Sequence, residues 1–440
     1  MTFHSLYLTK GGLFVEKSTI SIVIIVLAII SFGWEKIPLA VTAMLAALAM
    51  ALTGIISFGD VSAGFASTVT MMVGGMIIVG DSLFETGVAR VIGAKLVKSP
   101  LVKNERLFLF VIVLIACLLS AFLSNSAVVA MFLPIIGAVA MRSGGKITNK
   151  NLVMGMGMAA AMGGAGTMVG STAQLIGQGI LMKTAGARPM GFFELGIVVA
   201  PMCVLLALYF ATIGYSMQKK VFNFPDPVAQ VSGAEDAAED VKITWQMVLS
   251  SSVMLLCIAG FVFNVWNVGI IALVGASILM ATGCVDFKKA MRNMDWNTIV
   301  ILSAAQGFAK GLDVSGGGRI IANFILDMAG GPTASAYVLL VVGIVLATIL
   351  TNFMSNTAVV AMLAPIFIPL AFALKVSPTT FVLGIVIGAS TALATPIGTP
   401  AVTQTLVAGY RWMDYVKIGL PITIILTIFA CIFTPIAYGM

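Results

Sequence analysis

The sequence predicts an all-α polytopic membrane protein made of two inverted-topology repeats, each of five transmembrane helices plus a re-entrant helical hairpin. Three observations carry this reading. Of 440 residues, 60% are hydrophobic and only 9% charged, whereas soluble domains carry about 25% charged residues. Apolar runs of roughly 20 residues, enough to span a bilayer, follow one another with short connections. And the string Ser124-Asn125-Ser126-Ala127-Val128-Val129-Ala130-Met131 returns as Ser355-Asn356-Thr357-Ala358-Val359-Val360-Ala361-Met362.

In the first repeat, residues 1–216, apolar runs lie at about 18–33, 37–57 and 66–84, followed by a basic amphipathic stretch at 87–98. A long run at 107–142 is interrupted at Ser124-Asn125-Ser126, one at 150–184 is broken by glycines, and one spans 191–216. Residues 217–242, with Pro225-Asp226-Pro227 and two acidic pairs, read as a cytoplasmic linker. The second repeat, 243–440, repeats the order: runs at 243–263, 266–284 and 296–312, an amphipathic stretch at 315–329, a run at 334–375 interrupted at Ser355-Asn356-Thr357, one at 378–409 broken at Thr395-Pro396, and a last one at 415–437. Pro134 matches Pro365, Gly87 and Arg90 match Gly316 and Arg319, and Gly170-Ser171 matches Gly398-Thr399, all at offsets near 230 residues, which marks internal duplication.

Each repeat makes five crossings if its interrupted segment enters and leaves on one side, so the second repeat is inverted. Seventeen of the 24 Lys and Arg residues then share one face; only Lys10, Lys17, Lys183, Arg188, Lys310, Arg319 and Lys375 fall on the other. The richer face is expected to be cytoplasmic, with both termini outside and the chain in a bacterial inner (plasma) membrane. The net charge of +7 thus reports topology and gives no reason to expect nucleic acid. The single histidine, His4, and five isolated cysteines offer no metal or redox spacing. No nucleophile–base pair stands out, so no enzyme is expected. Asp81, Glu85 and Asp313 sit near span ends and read as solvated or structural, and Met154, Met156, Met158 and Met162 as packing.

A helix interrupted at membrane depth must have its freed backbone groups satisfied by protein or by a water-filled cavity. Asn and Ser favour caps and turns, so each Ser-Asn-Ser/Thr motif marks a hairpin tip. The breaks at 162–172 and 395–400 are rich in Gly and Pro, which permit unusual backbone and stop the helical ladder. Neither break contains Lys, Arg, Asp, Glu or His. Two tips and two breaks related by inversion would meet near the midplane, where helix N-termini suit an anion. Neutral hydroxyl and carbonyl oxygens suit a hard monovalent cation such as Na⁺. Each ligand would lower the other's cost of burial.

Paired tips, each followed about 45 residues later by Gly-Ser or Gly-Thr in a broken helix, resemble the divalent anion/sodium symporter family of the ion-transporter superfamily. The resemblance covers essentially the whole chain. It implies a Na⁺-coupled secondary transporter of a small divalent anion, a C4-dicarboxylate such as succinate foremost, working as an elevator-type homodimer in the lipid bilayer. Sulfate, citrate or Na⁺-independent exchange are its alternatives, and an anion channel the reading from another class. It also implies a first Na⁺ site from Ser120, Ser124, Asn125 and Gly170, and a second from Thr351, Met354, Asn356 and Gly398. The anion would touch Asn125, Ser126, Ser171, Asn356, Thr357, Thr399 and Pro400. Two departures stand out: the first break continues Ser171-Thr172-Ala173-Gln174 and the second Thr399-Pro400-Ala401-Val402, where the family often has Thr-Pro-Pro-Asn. The difference between the tips, Ser126 against Thr357, is where substrate choice is expected to lie.

Overall fold

The computed structural model describes residues 16–34, 36–97, 99, 104–226, 242–263, 265–328, 331 and 334–439, and among these no strand occurs. His4, Lys10, Lys98, Lys103 and most of the expected linker, 227–241, lie outside the described residues. The first half comprises α1 (Lys17–Trp34), α2 (Leu39–Leu52), α3 (Phe58–Ala63), α4 (Thr68–Glu85), α5 (Val88–Val97), α6 (Glu105–Ser120), α7 (Asn125–Arg142), α8 (Asn149–Gly163), α9 (Thr172–Lys183), α10 (Gly196–Ala211) and α11 (Ile213–Val221). The second comprises α12 (Trp245–Val262), α13 (Val268–Ala281), α14 (Phe287–Asn293), α15 (Trp296–Val314), α16 (Gly317–Met328), α17 (Ala336–Thr351), α18 (Asn356–Ala373), α19 (Pro378–Ser390), α20 (Pro400–Gln404) and α21 (Trp412–Tyr438). Among the described residues six segments are long and apolar enough to cross a membrane, and α10 with α11, bent by 48°, adds a seventh if taken as one span.

The packing repeats as the sequence does. α6 lies on α8 as α17 lies on α19, and α5 on α7 as α16 on α18. Other contacts exchange between halves: α4 packs on α13 as α15 packs on α2, and α7 on α20 as α18 on α9. Such exchanged partners are consistent with the duplication read in the sequence. Two ion pairs tie the halves together. Lys310 Nζ meets Asp60 Oδ1 at 2.5 Å, tying α15 to α3, and Lys289 Nζ meets Glu85 Oε1 at 3.0 Å, tying α14 to α4. Asp60 and Lys289 are separated by the same 229 residues as Arg90 and Arg319, as are Asp81 and Lys310. Both bridges are partly exposed and worth at most about 1 kcal/mol each, so they orient the helices more than they hold them.

One end of the first half is closed by buried polar groups. Glu105, at the start of α6, accepts from Thr148 N and Thr148 Oγ1 (both 2.9 Å), from Asn151 Nδ2 (3.1 Å) and from Tyr215 Oη. Asp226 accepts from the N–H groups of Asn149 (3.0 Å) and Lys150 (2.9 Å), where α8 begins with unpaired donors. The chain beyond α11 is therefore docked, and helix continues to Val221, past the expected linker start at 217. The run expected as one span at 191–216 divides at Thr212. The short helices α3 and α14, too brief to leave a hydropathy signal, were not expected. Met154, Met156, Met158 and Met162 are fully buried packing residues, and all five cysteines are buried. Gly157 lets Thr405 approach: a Cβ there would stand 2.2 Å from Thr405 Cγ2.

Glu105→Ala is expected to destabilise the purified protein by roughly 2–4 kcal/mol, the cost of leaving the buried Asn151 and Tyr215 donors without an acceptor. A lowered melting temperature in detergent is the measurement.

Candidate functional site

Each motif makes a hairpin tip. α6 ends at Ser120 and α7 starts at Asn125; α17 ends at Thr351 and α18 starts at Asn356. Ser124 caps α7 by accepting from Ala127 N (3.4 Å), and Ser355 caps α18 by accepting from Ala358 N (3.2 Å). The residue before each tip supplies the other anchor. Ser120 Oγ lies 2.7 Å from the Asn125 amide and donates to Ala160 O (2.7 Å), while Thr351 Oγ1 donates to Asn356 Oδ1 (2.5 Å). The Asn125 amide faces three oxygens: Ser120 Oγ, Gly170 O at 2.9 Å and Ala160 O at 3.2 Å. Its nitrogen donates into this nest.

The breaks are stitched to the tips by the same two contacts in both halves. Thr167 Oγ1 donates to Ala121 O, the residue after α6, and Thr395 Oγ1 donates to Asn352 O (2.6 Å), the residue after α17. Gly170 presses on Ser120 O and Gly398 on Thr351 O; a Cβ would come within 2.4 and 2.6 Å of those carbonyls. No larger side chain fits without moving backbone. The first break has a further stitch, since Gln174 Nε2 donates to Gly164 O (2.8 Å) and Thr167 O (2.7 Å).

A cavity of about 450 Å³ gathers both tips and both breaks. Ser124, Asn125, Ser126, Gly170, Ser171, Asn356, Thr357, Gly398, Thr399 and Pro400 all line it; Ser120, Thr351 and Met354 do not, and are buried. The N-termini of α7, α9 and α18 start at its wall. Thr172 Oγ1 and Thr357 Oγ1 bond across it at 2.6 Å, joining the first break to the second tip. Thr399 Oγ1 is buried with no hydrogen-bond partner among the described residues. An orphaned buried hydroxyl on a cavity wall is what a ligand oxygen would satisfy.

Sequence reasoning missed the opposite wall. Asp81 on α4, and Asn293, Asp295, Asn297 and Thr298 around the start of α15, also line the cavity. Asp295 caps α15, accepting from Thr298 N (3.1 Å). Asp81, expected to be solvated or structural, faces the cavity instead. The signal was available: an ionisable residue inside an apolar span is a functional candidate by default. Among the described residues lining the cavity, Asp81 and Asp295 are the only charged ones and none is cationic; the rest are hydroxyls, amides, glycines and apolar side chains such as Met72, Met76 and Leu175.

Known proteins resemble this chain over most of its length. The family described as citrate transporter matches residues 29–372. An uncharacterized transporter of Haemophilus influenzae is 26% identical over 405 residues, covering 89% of this chain and 86% of that one. The sodium-dependent dicarboxylate transporter SdcS of Staphylococcus saprophyticus is 24% identical over 406 residues, covering 83% and 75%. Among solved structures, Neisseria gonorrhoeae MtrF, described as illuminating a class of antimetabolite efflux pumps, superposes with a TM-score of 0.63 at 17% identity, over 97% of this chain and 96% of that one, a likeness of fold. The chain is an integral membrane transporter and belongs to the citrate transporter family, consistent with the assignment to the divalent anion/sodium symporters that its tips suggested.

Proposed function

We propose that the chain is a Na⁺-coupled symporter of a small divalent anion, a C4-dicarboxylate such as succinate, which binds between the two hairpin tips. The observation that carries this is the one cavity that collects both tips, both breaks and the N-termini of α7, α9 and α18 without a cationic side chain among its described lining residues. A dianion in such a place is held by hydroxyls, amides and helix ends. Its burial is costly unless cations enter with it, more so with Asp81 and Asp295 on the facing wall.

The tips are suited to supply those cations. Ser120, Ser124, Asn125 and Gly170 form the first Na⁺ site in this reading, and Thr351, Met354, Asn356 and Gly398 the second. The oxygen nest around Asn125 fits: a Na⁺ would replace the amide protons, and the amide would turn its own oxygen inward. The cation then braces the tip whose backbone meets the anion. The anion contacts are Asn125, Ser126, Ser171, Asn356, Thr357, Thr399 and Pro400, joined by Thr172 through its bond to Thr357. Citrate is the second reading, favoured by the family's description and by the room in the cavity.

Transport would be elevator-type within a homodimer. α6–α11 and α17–α21 form the moving body; α1–α4 and α12–α15 form the scaffold. The two meet along α9 and α15, α18 and α1, and α9 and α4. Gly179 on α9 lets Leu302 and Gln306 of α15 approach closely, a surface without bulk where sliding is needed.

In proteoliposomes, labelled succinate uptake should require an inward Na⁺ gradient and show counterflow. Equal uptake in choline or potassium would remove the coupling, and unitary currents would favour a channel. Asn125→Ala and Asn356→Ala should each abolish uptake while leaving the purified protein folded; wild-type uptake from both would undo the site. For topology, Lys146→Cys and Lys375→Cys place exposed thiols at the bases of the two hairpins, against a background in which every native thiol is buried. An impermeant maleimide should reach Lys146→Cys from the cytoplasmic side and Lys375→Cys from the outer side. Labelling from one side would contradict inversion.

A further inference from the structure

A second cavity, of about 650 Å³, lies at the other end of α15. The tip cavity reaches α15 between Asp295 and Ile301; this one reaches it between Ala309 and Asp313. Its remaining walls are the end of α9, the first turns of α16 and the second half of α18. An occupant would therefore touch both α15 of the scaffold and the body proposed to move. The floor is apolar, with Leu312, Ile368 and Phe372, and the rim carries one cation and one anion. Arg319 and Asp313 are exposed there, and they do not pair with one another. Neither they nor Asn323, one turn after Arg319, has a hydrogen bond or ion pair among the described residues.

The helix that supplies Arg319 and Asn323 also sets the depth of the cavity. On α16 those two share a stripe, and the adjacent stripe is Ile320, Phe324 and Met328, all exposed. Exposed apolar side chains beside a charged stripe describe a helix lying in the surface of a bilayer. The rim then stands among lipid headgroups and the floor beside their chains. At the repeat offset of 229 residues, Arg319 corresponds to Arg90, but Asp313 and Asn323 correspond to Phe84 and Ala94. The arginine belongs to both halves; the carboxylate near it belongs to the second alone.

Those two charges choose the headgroup. A guanidinium grips a phosphate through paired N–H donors. A headgroup with net negative charge would also meet Asp313 as a like charge. A primary ammonium would instead donate to that carboxylate, and a quaternary one has no N–H to give. We propose that this cavity binds an aminophospholipid, with its phosphate on Arg319, its ammonium on Asp313 and an acyl chain along Leu312, Ile368 and Phe372.

The test is lipid retention by the purified full-length chain, read by native mass spectrometry. The probes are phosphatidylethanolamine, phosphatidylcholine and phosphatidylglycerol of one acyl composition. The ethanolamine lipid should be held preferentially. Arg319→Gln should weaken its binding about tenfold or more, the loss of a charged hydrogen bond. Asp313→Asn should leave the ethanolamine and choline lipids bound alike. Both positions are exposed, so neither variant removes packing. Arg90→Gln, at an exposed arginine whose repeat lacks the carboxylate, should change nothing. Equal retention of the three lipids, preference for the glycerol lipid, or equal losses in Arg90→Gln and Arg319→Gln would overturn the proposal. So would displacement of the lipid by soluble glycerophosphoethanolamine, which has the headgroup and no chains.

Discussion

A helix that stops inside a membrane leaves amides and carbonyls with no water to take them. This chain stops four times, at two tips and two breaks, and its solution is to make each stop satisfy its neighbour. The threonine of each break donates to the carbonyl just past the first arm of the hairpin, Thr167 to Ala121 and Thr395 to Asn352. The glycine of each break admits the last carbonyl of the same arm. Tip and break thereby become one unit in each half, and the two units share a cavity because the halves exchange partners: α7 on α20, α18 on α9. Remove the stitches and the tips have no fixed place from which to present Asn125 and Asn356.

Electrostatics follows from the same economy. Helix ends and hydroxyls can receive an anion only weakly, and the facing wall carries two carboxylates. A cavity so built favours an anion and its cations together over either alone. In the proposed site both tips place neutral oxygens beside the backbone that would meet the anion, and the amide of Asn125 sits among three oxygens. Coupling in this account needs no distant relay, because the cation and anion sites share Asn125 and Asn356.

What the sequence revealed and what it hid divide along a physical line. Capping and helix breaking are local, so Ser124, Ser355, Gly170 and Gly398 could be placed from neighbouring residues alone, and duplication gave each a partner. The all-helical membrane fold followed from composition and run length. Contacts made only by tertiary packing were not legible. The Thr172–Thr357 bond joins residues 185 apart, and nothing near either announces it. Asp295 was not singled out in the sequence; it caps α15, and its position on the cavity wall depends on how α15 lies. α3 and α14 are too short for periodicity. Asp81 was legible but underweighted, read as solvated or structural for its place near a span end.

The central claim is that anion and cation occupy one shared site and stabilise each other. Linkage makes this quantitative, because two ligands that couple must raise each other's affinity by the same factor. Calorimetric titration of succinate at several fixed Na⁺ concentrations, and of Na⁺ at several fixed succinate concentrations, measures both factors on one preparation. The account predicts equal factors well above one, falling to one in Asn125→Ala and Asn356→Ala. Succinate binding that is tight and indifferent to Na⁺ would contradict it.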